Sequence, residues 1–289
     1  MLRQSDFRVR PGSRPRLGDY DPASTAGFAD EQAAAGKIES DRAELARLQD
    51  MLMAEEAHAL LVVFQSIDGS GKDGTIKEVA SSLDPQGCTA YNFKKPTDEE
   101  NRHDYLWRFH RQAPARGHIT FFNRSYYEEV ISPRIRPERL AEQNLPASLR
   151  PPGLWRRRMR EINDFEQYLT DNGVAVLKFF LHLSKRKQAE RLLERTEERE
   201  KMWKFSPADM ENRDLWLKHL RAHEEMLRLT STKAAPWHVI PADHRWFTAL
   251  AVADLMVRKL RTLKPRYPTV DSEDRQEMKK ARRRLRREL

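Results

Sequence analysis

The segment from Leu60 to Ile76, LLVVFQSIDGSGKDGTI, limits most strongly how this chain can fold. Its first five residues are apolar and include two valines, which is typical of a β-strand buried on both faces. Gly69, Gly71 and Gly74 follow, and glycines allow backbone conformations and close approaches that a Cβ would block. From Lys72 onward, apolar residues recur at helical spacing. The segment therefore predicts a strand, a glycine-rich loop and a helix.

This predicted loop suits a phosphate chain, because main-chain N–H groups and the positive end of a helix dipole point to one place. The sequence departs from the pattern GxxxxGK[ST] at two positions: Ser66 replaces the first glycine, and Asp73 replaces the metal-binding Ser or Thr. A glycine-rich turn with a surface lysine is the alternative, but the flanking strand and helix favour a phosphate site. The predicted phosphate-binding residues of the loop are Gly69, Ser70, Gly71, Lys72, Asp73 and Gly74.

Asp68 lies within the same loop. A carboxylate there would repel a polyanion unless a cation lay between them, so Asp68 is predicted to bind Mg²⁺ directly or through water. Mn²⁺ is a second candidate for this position. The alternative role of Asp68 is to form an Asx-type turn.

Composition agrees with an acidic substrate. The chain has 53 Lys and Arg against 44 Asp and Glu, a net charge of +9 and a pI near 9.6, so it should attract nucleotides, nucleic acid or polyphosphate. Only Cys88 is present, which excludes an intrachain disulfide and fits a reducing compartment. We expect no membrane segment and no signal peptide, and hence a cytoplasmic protein.

The segment HITFFNRSYYEE, residues 118–129, is the second informative stretch. A short apolar strand ends in Asn123-Arg124-Ser125, and side chains at the carboxyl end of such a strand face the crevice where ligands bind. Asn123 can bind Mg²⁺ through its amide oxygen or hold one of its waters, which leaves the negative charge to Asp68 and Glu128. Arg124 can bind phosphate with two hydrogen bonds. A polar turn is the alternative.

Further strands are predicted at residues 89–93, 174–183 and 236–241, so the chain alternates between strands and helices as α/β proteins do. Lys94 and Lys95 follow the first of these strands and are candidate phosphate contacts, although lysines are commonly solvated. Residues 98–112 are predicted to be helical. Within them, Arg108 could face the site or solvent.

The charged segment from Lys185 to Lys204 has no broad apolar face, so it is expected to project into solvent. A basic segment beside a phosphate site resembles a lid that closes over the substrate, and the lid is predicted at residues 186–212. An exposed helix with internal ion pairs is the alternative. A helix capped by Ser206 should follow and run to about Leu229. The cationic candidates for phosphate binding here are Arg191, Arg195, Lys201 and Lys204.

Three other features complete the predicted organisation. Residues 1–35 are expected to form an irregular basic arm over the surface, residues 36–270 the main domain beginning with a helix, and residues 271–289 a basic tail that is helical or disordered. His219 and His223 have the spacing of a zinc pair, but they lack a third ligand and are better explained as structural or surface histidines.

Seven segments together resemble the type-2 polyphosphate kinase family over residues 36–265. In order they are SIDGSGKDG, FKKPT, DYLWRFHRQAPARGHI, FNRSYYEEV, LKFFLHLSK, KMWKFSPAD and TSTKAAPWHVIPAD. The resemblance implies a thymidylate-kinase-like P-loop fold with a parallel five-stranded sheet between helices. It also implies a mobile lid and Mg²⁺-dependent, reversible phosphoryl exchange between inorganic polyphosphate and nucleotides. A homo-oligomer, either dimer or tetramer, is expected.

Site roles follow from the same resemblance. Asp68 and Lys72 belong to the Walker A loop, and Asn123, Arg124 and Glu128 to the Walker B region. Residues 191–201 supply the lid cations. Asn123 stands where Asp is more widespread in the family, and with Glu128 it resembles the class III subgroup, which phosphorylates both AMP and ADP. GMP and GDP are further candidate acceptors.

Two other functions remain to be weighed against this one. An ATP-dependent nucleoside monophosphate kinase of the thymidylate kinase type would have a similar loop, although Asp73 and the WKF segment count against it. A nucleic-acid-binding protein could use the basic termini, but the chain has no recognisable base-reading motif.

Overall fold

The computed structural model describes residues 2–143, 145–150 and 152–289. Within these ranges the chain alternates between strands and helices, as predicted. The strands are β1 (Ala59–Gln65), β2 (Cys88–Asn92), β3 (Ile119–Asn123), β4 (Val174–His182) and β5 (Trp237–Pro241). The α-helices are α1 (Gln4–Phe7), α2 (Glu31–Glu55), α3 (Lys72–Ala80), α4 (Trp107–His110), α5 (Glu128–Ile135), α6 (Glu138–Ala141), α7 (Leu154–Asp171), α8 (Lys185–Glu197), α9 (Pro207–Asp214), α10 (Trp216–Thr230), α11 (Arg245–Leu263) and α12 (Ser272–Glu288).

The five described strands form one parallel sheet in the order β2-β3-β1-β4-β5. β1 lies at the centre and every residue in it is buried, in agreement with its apolar sequence. Phe64 of β1 pairs with Asn123 of β3. The loop after β1 and the polar residues after β3 therefore leave the sheet side by side. This is the edge where open α/β sheets bind ligands.

Helices cover both faces of the sheet, and each face has its own apolar core. Helices α2, α3 and α11 pack on one face, and α5, α7 and α10 on the other. Alternate residues of β1 point to opposite faces: Leu60, Val62 and Phe64 join the first core, while Leu61 and Val63 join the second. The central strand is thus held from both sides, which gives the loop that follows it a rigid base.

A buried polar network connects β4 to the start of α5. Lys178 and Glu166 are 0% and 1% exposed, and Lys178 Nζ lies 2.6 Å from Glu166 Oε2. Lys178 also donates to Tyr127 Oη at 2.9 Å and to the carbonyl of Thr230 at 2.6 Å. Glu166 Oε1 accepts from Tyr126 and Tyr127. Since every partner is satisfied, the network holds Tyr127, the residue before Glu128, in one position.

The first residues of the chain pack more deeply than predicted. Leu2, Phe7, Val9 and Leu17 are buried, and the Val9 amide donates to the carbonyl of Trp237 at 2.9 Å. The expectation of an irregular arm lying over the surface is wrong at these four residues, and also at residues 31–35, which belong to α2. Isolated apolar side chains among arginines and prolines carry no periodic signal, so their burial depends on the distant strand that receives them.

Two predicted helices are shorter than expected. The region 98–112 contains only a 3-10 turn and the four-residue α4, because Asp104 Oδ1 accepts the amides of Leu106 and Trp107 and competes with helix formation. The helix expected from Ser206 to Leu229 is divided into α9 and α10 at Leu215. The predicted cap at its start, Ser206, is present, and Asp209 completes a capping box with it.

The basic tail forms the helix α12, and none of its residues is buried in the described structure. Within the described ranges, no helix combines the length and the apolar character needed to cross a bilayer.

Candidate active site

The loop between β1 and α3 has the conformation that its glycines predict at two positions. Gly69 and Gly71 have φ angles of +87° and +90°, in the left-handed region that other residues rarely adopt. Gly74 differs: it lies within α3, and a Cβ there would meet no described atom within 4 Å. The expectation that Gly74 is needed for loop geometry is therefore wrong for this structure, while Gly69 and Gly71 are confirmed as turn-forming residues.

Lys72 is folded back into its own loop. It is 7% exposed, and its Nζ donates to Ser66 Oγ at 2.6 Å. Ser66 Oγ in turn lies 2.5 Å from Ser70 Oγ. Burial and the nearby Arg124 lower the pKa of the Lys72 ammonium. The serine that replaces the first glycine of the pattern thus holds the lysine at the mouth of the loop.

Asp68 is the point where three parts of the chain meet. Its Oδ2 accepts from Asn212 Nδ2 of α9 at 2.8 Å, and its Oδ1 lies 3.4 Å from Arg124 Nη2. Burial opposes ionisation, but the charges of Lys72 and Arg124 and the Asn212 hydrogen bond outweigh it, so the pKa of Asp68 lies below its usual value. Asp68 is therefore a carboxylate held ionised beside two cations.

The amide of Asn123 supports a metal site. Its Nδ2 donates to Asp73 Oδ1 in the first turn of α3, while its Oδ1 is buried without a hydrogen-bond partner among the described residues. Glu128 begins α5 in the same crevice, and burial raises the pKa of its carboxyl, with the charge of Asp68 adding to the effect. A buried oxygen without a donor beside carboxylates suits a hard divalent cation, which prefers oxygen ligands.

Arg124 carries backbone strain. Its φ is +92°, a region in which a non-glycine residue costs of the order of 1–3 kcal/mol. Its main-chain N–H donates to the carbonyl of Phe64 at 3.2 Å, which ties β3 to β1 at this point. Burial disfavours its charge, but Asp68, Glu128 and Asp73 outweigh this and raise the pKa of the guanidinium. Sequence reasoning named Arg124 but missed the strained backbone that aims it at Asp68.

Three of the four predicted lid cations already have partners among the described residues. Arg191 is buried and donates to the carbonyls of Ser70 and Ala242, each at 2.7 Å. Arg195 donates to Asp209 Oδ2 at 2.8 Å. Lys201 pairs with Glu194 at 2.9 Å. The helix α8 that carries Arg191 therefore packs on the phosphate loop, and the expectation that this whole segment projects into solvent is wrong.

Lys94, Lys95 and Arg108 lie beside the site in different settings. Arg108 is 7% exposed, and its guanidinium donates to Glu129 Oε1 at 2.8 Å and to the carbonyl of Lys94 at 2.9 Å. Lys95 forms an exposed ion pair with Glu142 at 3.1 Å. Arg108 therefore supports the wall of the site, whereas both lysines are exposed at its rim.

Two clefts meet at Asp68 and Arg124. The first, of about 170 Å³, lies between β3, α5 and α10, and is lined by Lys94, Lys95, Arg108, Glu128 and Arg136 among others. The second, of about 830 Å³, lies between the loop and α8, and includes Lys72, Asp73, Arg195, Lys201 and Lys204. Two polyanionic substrates could thus approach the same pair of residues through separate clefts.

His219 and His223 both line the first cleft. The described residues contain no group of three or more His, Cys, Asp or Glu side chains that could hold a metal. His223 Nδ1 lies 2.7 Å from the carbonyl of His219, and burial lowers the pKa of His223 to about 3. His219 and Asn212 were not predicted as site residues, since nothing in their local sequence indicates that α9 and α10 reach Asp68.

Comparison with known proteins now adds to this geometry. Residues 29–268 match the family described as Polyphosphate kinase 2 (PPK2). This chain belongs to the polyphosphate kinase 2 family. The P-loop kinase fold and the family resemblance inferred from the sequence are thereby confirmed.

Individual polyphosphate kinase 2 relatives cover nearly the whole chain. An AMP/ADP-polyphosphate phosphotransferase of Meiothermus ruber is 41% identical over 263 residues, which are 91% of this chain and 94% of the relative. An ADP-polyphosphate phosphotransferase of Rhodopseudomonas palustris is 39% identical over 98% of this chain and 99% of its own. The crystal structure of polyphosphate kinase 2 from Arthrobacter aurescens TC1 superposes with a TM-score of 0.82 at 36% identity, over 92% of this chain and 91% of that one.

Proposed function

We propose that this polyphosphate kinase 2 family member transfers the terminal phosphate of inorganic polyphosphate to a nucleoside mono- or diphosphate, in a reversible, Mg²⁺-dependent reaction. Family membership and relatives named as phosphotransferases of polyphosphate support an enzyme of polyphosphate-dependent nucleotide phosphorylation. The ATP-dependent monophosphate kinase and the nucleic-acid-binding protein are not favoured.

The observation that carries the proposal is the convergence at Asp68. A phosphate loop, an oxygen-rich pocket and two separate clefts meet within one crevice. We assign the larger cleft beneath α8 to polyphosphate and the smaller one beside β3 to the acceptor. In this arrangement the donor and acceptor phosphates would meet between Lys72 and Arg124.

The transfer itself requires little covalent help from the protein. An oxygen of the acceptor's terminal phosphate attacks the terminal phosphorus of polyphosphate, and the bond to the shortened chain breaks. Kinases generally need a divalent metal, and Mg²⁺ held by Asp68 and the Asn123 oxygen, directly or through water, would neutralise charge on the two phosphates. Lys72 and Arg124 would stabilise charge on the transferring group.

Closure of residues 186–212 over the loop would complete the site. Arg195 and Lys201 line the larger cleft but are paired with Asp209 and Glu194. We propose that bound polyphosphate competes for these cations and that the segment rearranges around it, excluding water. Amide exchange between residues 191 and 205 should then slow when polyphosphate or nucleotide binds. Equal exchange in both states would indicate a static segment.

Acceptor choice is the second part of the proposal. Asn123 carries no charge, so the metal pocket holds one carboxylate fewer than it would with Asp, and Glu128 lies in the same crevice. We propose that, because of Asn123 and Glu128, the enzyme accepts either AMP or ADP as the phosphate acceptor. The variant Asn123→Asp should change the ratio of AMP to ADP activity. If both activities change in parallel, Asn123 only positions water, and other residues determine whether a mono- or diphosphate is accepted.

The decisive assay supplies purified protein with Mg²⁺, polyphosphate and either ADP or AMP, and in parallel with Mg²⁺, ATP and dTMP. We expect ATP to form from ADP and polyphosphate, and we expect no dTDP to form from dTMP and ATP. The variants Asp68→Asn and Lys72→Met should each lower turnover at least about a hundredfold, since an oriented charge at a transferring phosphate contributes roughly 2.7–4 kcal/mol.

A matched control is Lys233→Met, an exposed lysine between α10 and the amino end of β5, at the sheet edge opposite the loop. It should retain wild-type turnover. If Lys72→Met is folded and equally active, the phosphate loop has no part in the reaction and the proposed mechanism is wrong.

A further inference from the structure

The basic helix α12 is built to be stable without packing against the protein. Its N-cap, Asp271, accepts the amides of Glu273 at 2.9 Å and Asp274 at 2.8 Å. Acidic residues occupy its first turn and arginines its last, which matches the helix dipole at both ends. Yet none of its residues is buried in the described structure. A capped, exposed helix of this kind presents its side chains to a partner.

Its charge is concentrated and poorly compensated. Seven Lys and Arg lie between Lys279 and Arg287. Among the described residues, only two of the seven form ion pairs: Lys280 with Glu277 at 2.7 Å, and Arg284 with Glu288 at 3.1 Å. Like charges also stand four residues apart on the helix, which destabilises it. The basic residues without a carboxylate partner are Lys279, Arg282, Arg283, Arg286 and Arg287. A polyanion would relieve this repulsion.

The distribution of these basic residues around the helix indicates what kind of polyanion can bind to it. At 3.6 residues per turn, the seven cations cover an arc of about 200°. Met278, Leu285 and the following residue Leu289 lie within a stripe of about 40° in the remaining arc. A helix that inserts into a membrane surface typically has an apolar face with Trp, Phe or Leu opposite its cations, and α12 has only three apolar residues there. A flexible linear polyanion can instead follow an arc wider than half the helix.

The chain leaves the folded domain towards α12 at a point away from the phosphate loop. The segment before it is fastened at the end of α2, where Tyr267 donates to Asp50 and the Arg266 amide donates to Glu55 at 3.3 Å. Glu55 precedes β1 at the amino edge of the sheet, whereas the loop lies at the carboxyl edge. The seven residues of β1 separate these edges by about 23 Å. A polyanion that extends from the phosphate loop to this point of attachment must therefore be long.

We propose that α12 is a docking surface for the distal part of long-chain polyphosphate while its terminus occupies the phosphate loop. This inference rests on the proposed function. Docking at a second place raises the local concentration of the chain at the site and attracts it electrostatically. It therefore lowers the KM for long chains and leaves the KM for short ones unchanged.

The test compares two triple variants with the wild type. Arg282, Arg283 and Arg286 have no ion-pair partner among the described residues, so all three are replaced by Gln in one variant and by Lys in the other. Gln, Lys and Arg have similar helix propensities, which circular dichroism should confirm. Each protein is assayed at low salt with long-chain polyphosphate and with tripolyphosphate as donors, at saturating ADP.

The Gln variant should raise the KM for long-chain polyphosphate about three- to tenfold, with kcat and the KM for tripolyphosphate unchanged. The effect should weaken as salt increases, and the Lys variant should resemble the wild type. An unchanged KM for long chains, or an equal change for both donors, would overturn the docking role. A changed oligomeric state of the Gln variant would also overturn it. Binding of single-stranded DNA that depends on α12 and is tighter than binding of polyphosphate would do the same. A wild type that uses neither donor would instead refute the proposed function.

Discussion

Replacing Arg191 with methionine should destabilise the phosphate loop. Arg191 is 4% exposed, and its guanidinium joins the loop to the segment after β5 with hydrogen bonds of 2.7 Å to the carbonyls of Ser70 and Ala242. A longer bond of 3.3 Å reaches Gly69. Methionine retains the unbranched side chain but removes every donor. The variant therefore leaves buried carbonyls without partners on both sides of the crevice.

The size of the effect follows from these contacts. A hydrogen bond from a charged group contributes about 1.5–3 kcal/mol net, and Arg191 makes two short ones. Part of this is offset by the cost of burying the guanidinium, which lowers the pKa of Arg191 to about 10. We expect the free energy of unfolding to fall by about 2–4 kcal/mol. Urea unfolding followed by circular dichroism measures this, and turnover should fall because the loop is less ordered.

Arg186→Met is the matched control on the same helix. Its side chain is 89% exposed and its nearest carboxylate, Glu190, lies 3.5 Å away, so the change in stability should stay within about 0.5 kcal/mol. Arg191→Met could instead unfold at the same urea concentration as the wild type while its KM for polyphosphate rises. That result would show that Arg191 binds phosphate, as the sequence predicted, and would refute its role in stabilising the loop.

Four further outcomes are expected. Burial raises the pKa of Glu128 above its unfolded value, so ionisation of this carboxyl lowers the free energy of unfolding as pH rises. Glu128→Gln should therefore be more stable than the wild type at pH 7, and acid titration of the free energy of unfolding should show that this advantage disappears at low pH. Burial lowers the pKa of His238 to about 4, so as pH falls below about 6.5 this histidine is protonated in the unfolded state before it is protonated in the folded state. The wild type should therefore lose stability between about pH 6.5 and pH 4, and His238→Gln should lose less over the same range. Lys178→Met should cost about 3–5 kcal/mol in urea unfolding, and the double variant with Glu166→Leu less than the sum of the single changes. Asn212→Ala should raise the pKa of Asp68 and shift the acid limb of the pH–rate profile to higher pH, and an unmoved limb would remove Asn212 from the site.

Local sequence patterns predicted the parts of this fold that depend on near neighbours. The apolar run before Ser66 is the buried central strand β1, and Gly69 and Gly71 have positive φ angles. Ser206 and Asp209 form the capping box that their spacing indicates. The roles assigned to individual site residues remain predictions for the assays above, but their gathering around Asp68 is a feature of the structure.

Contacts between polar groups that become buried together were not predictable in this way. The segment that begins at Lys185 looks fully solvated because it lacks an apolar face, yet α8 packs on the loop through Gln188 and Arg191, whose side chains donate to loop carbonyls. Hydrophobic periodicity does not register burial of this kind. The same holds for Lys178, a charged residue at the centre of an apolar strand whose partners come from three other elements.

The sequence by itself determined the strand, loop and helix of the proposed phosphate site, the alternation of strands with helices, and an excess of positive charge suited to a polyanion. These properties arise from residues within one or two turns of each other. The tertiary structure decided which side chains share the site. Asn123 reaches Asp73, 50 residues away, because β3 pairs with β1 in the register that sets it beside Phe64. Asn212 reaches Asp68, 144 residues away, because α9 is carried there by helices on either side. Such contacts depend on the pairing and packing of distant segments, which local propensities do not specify.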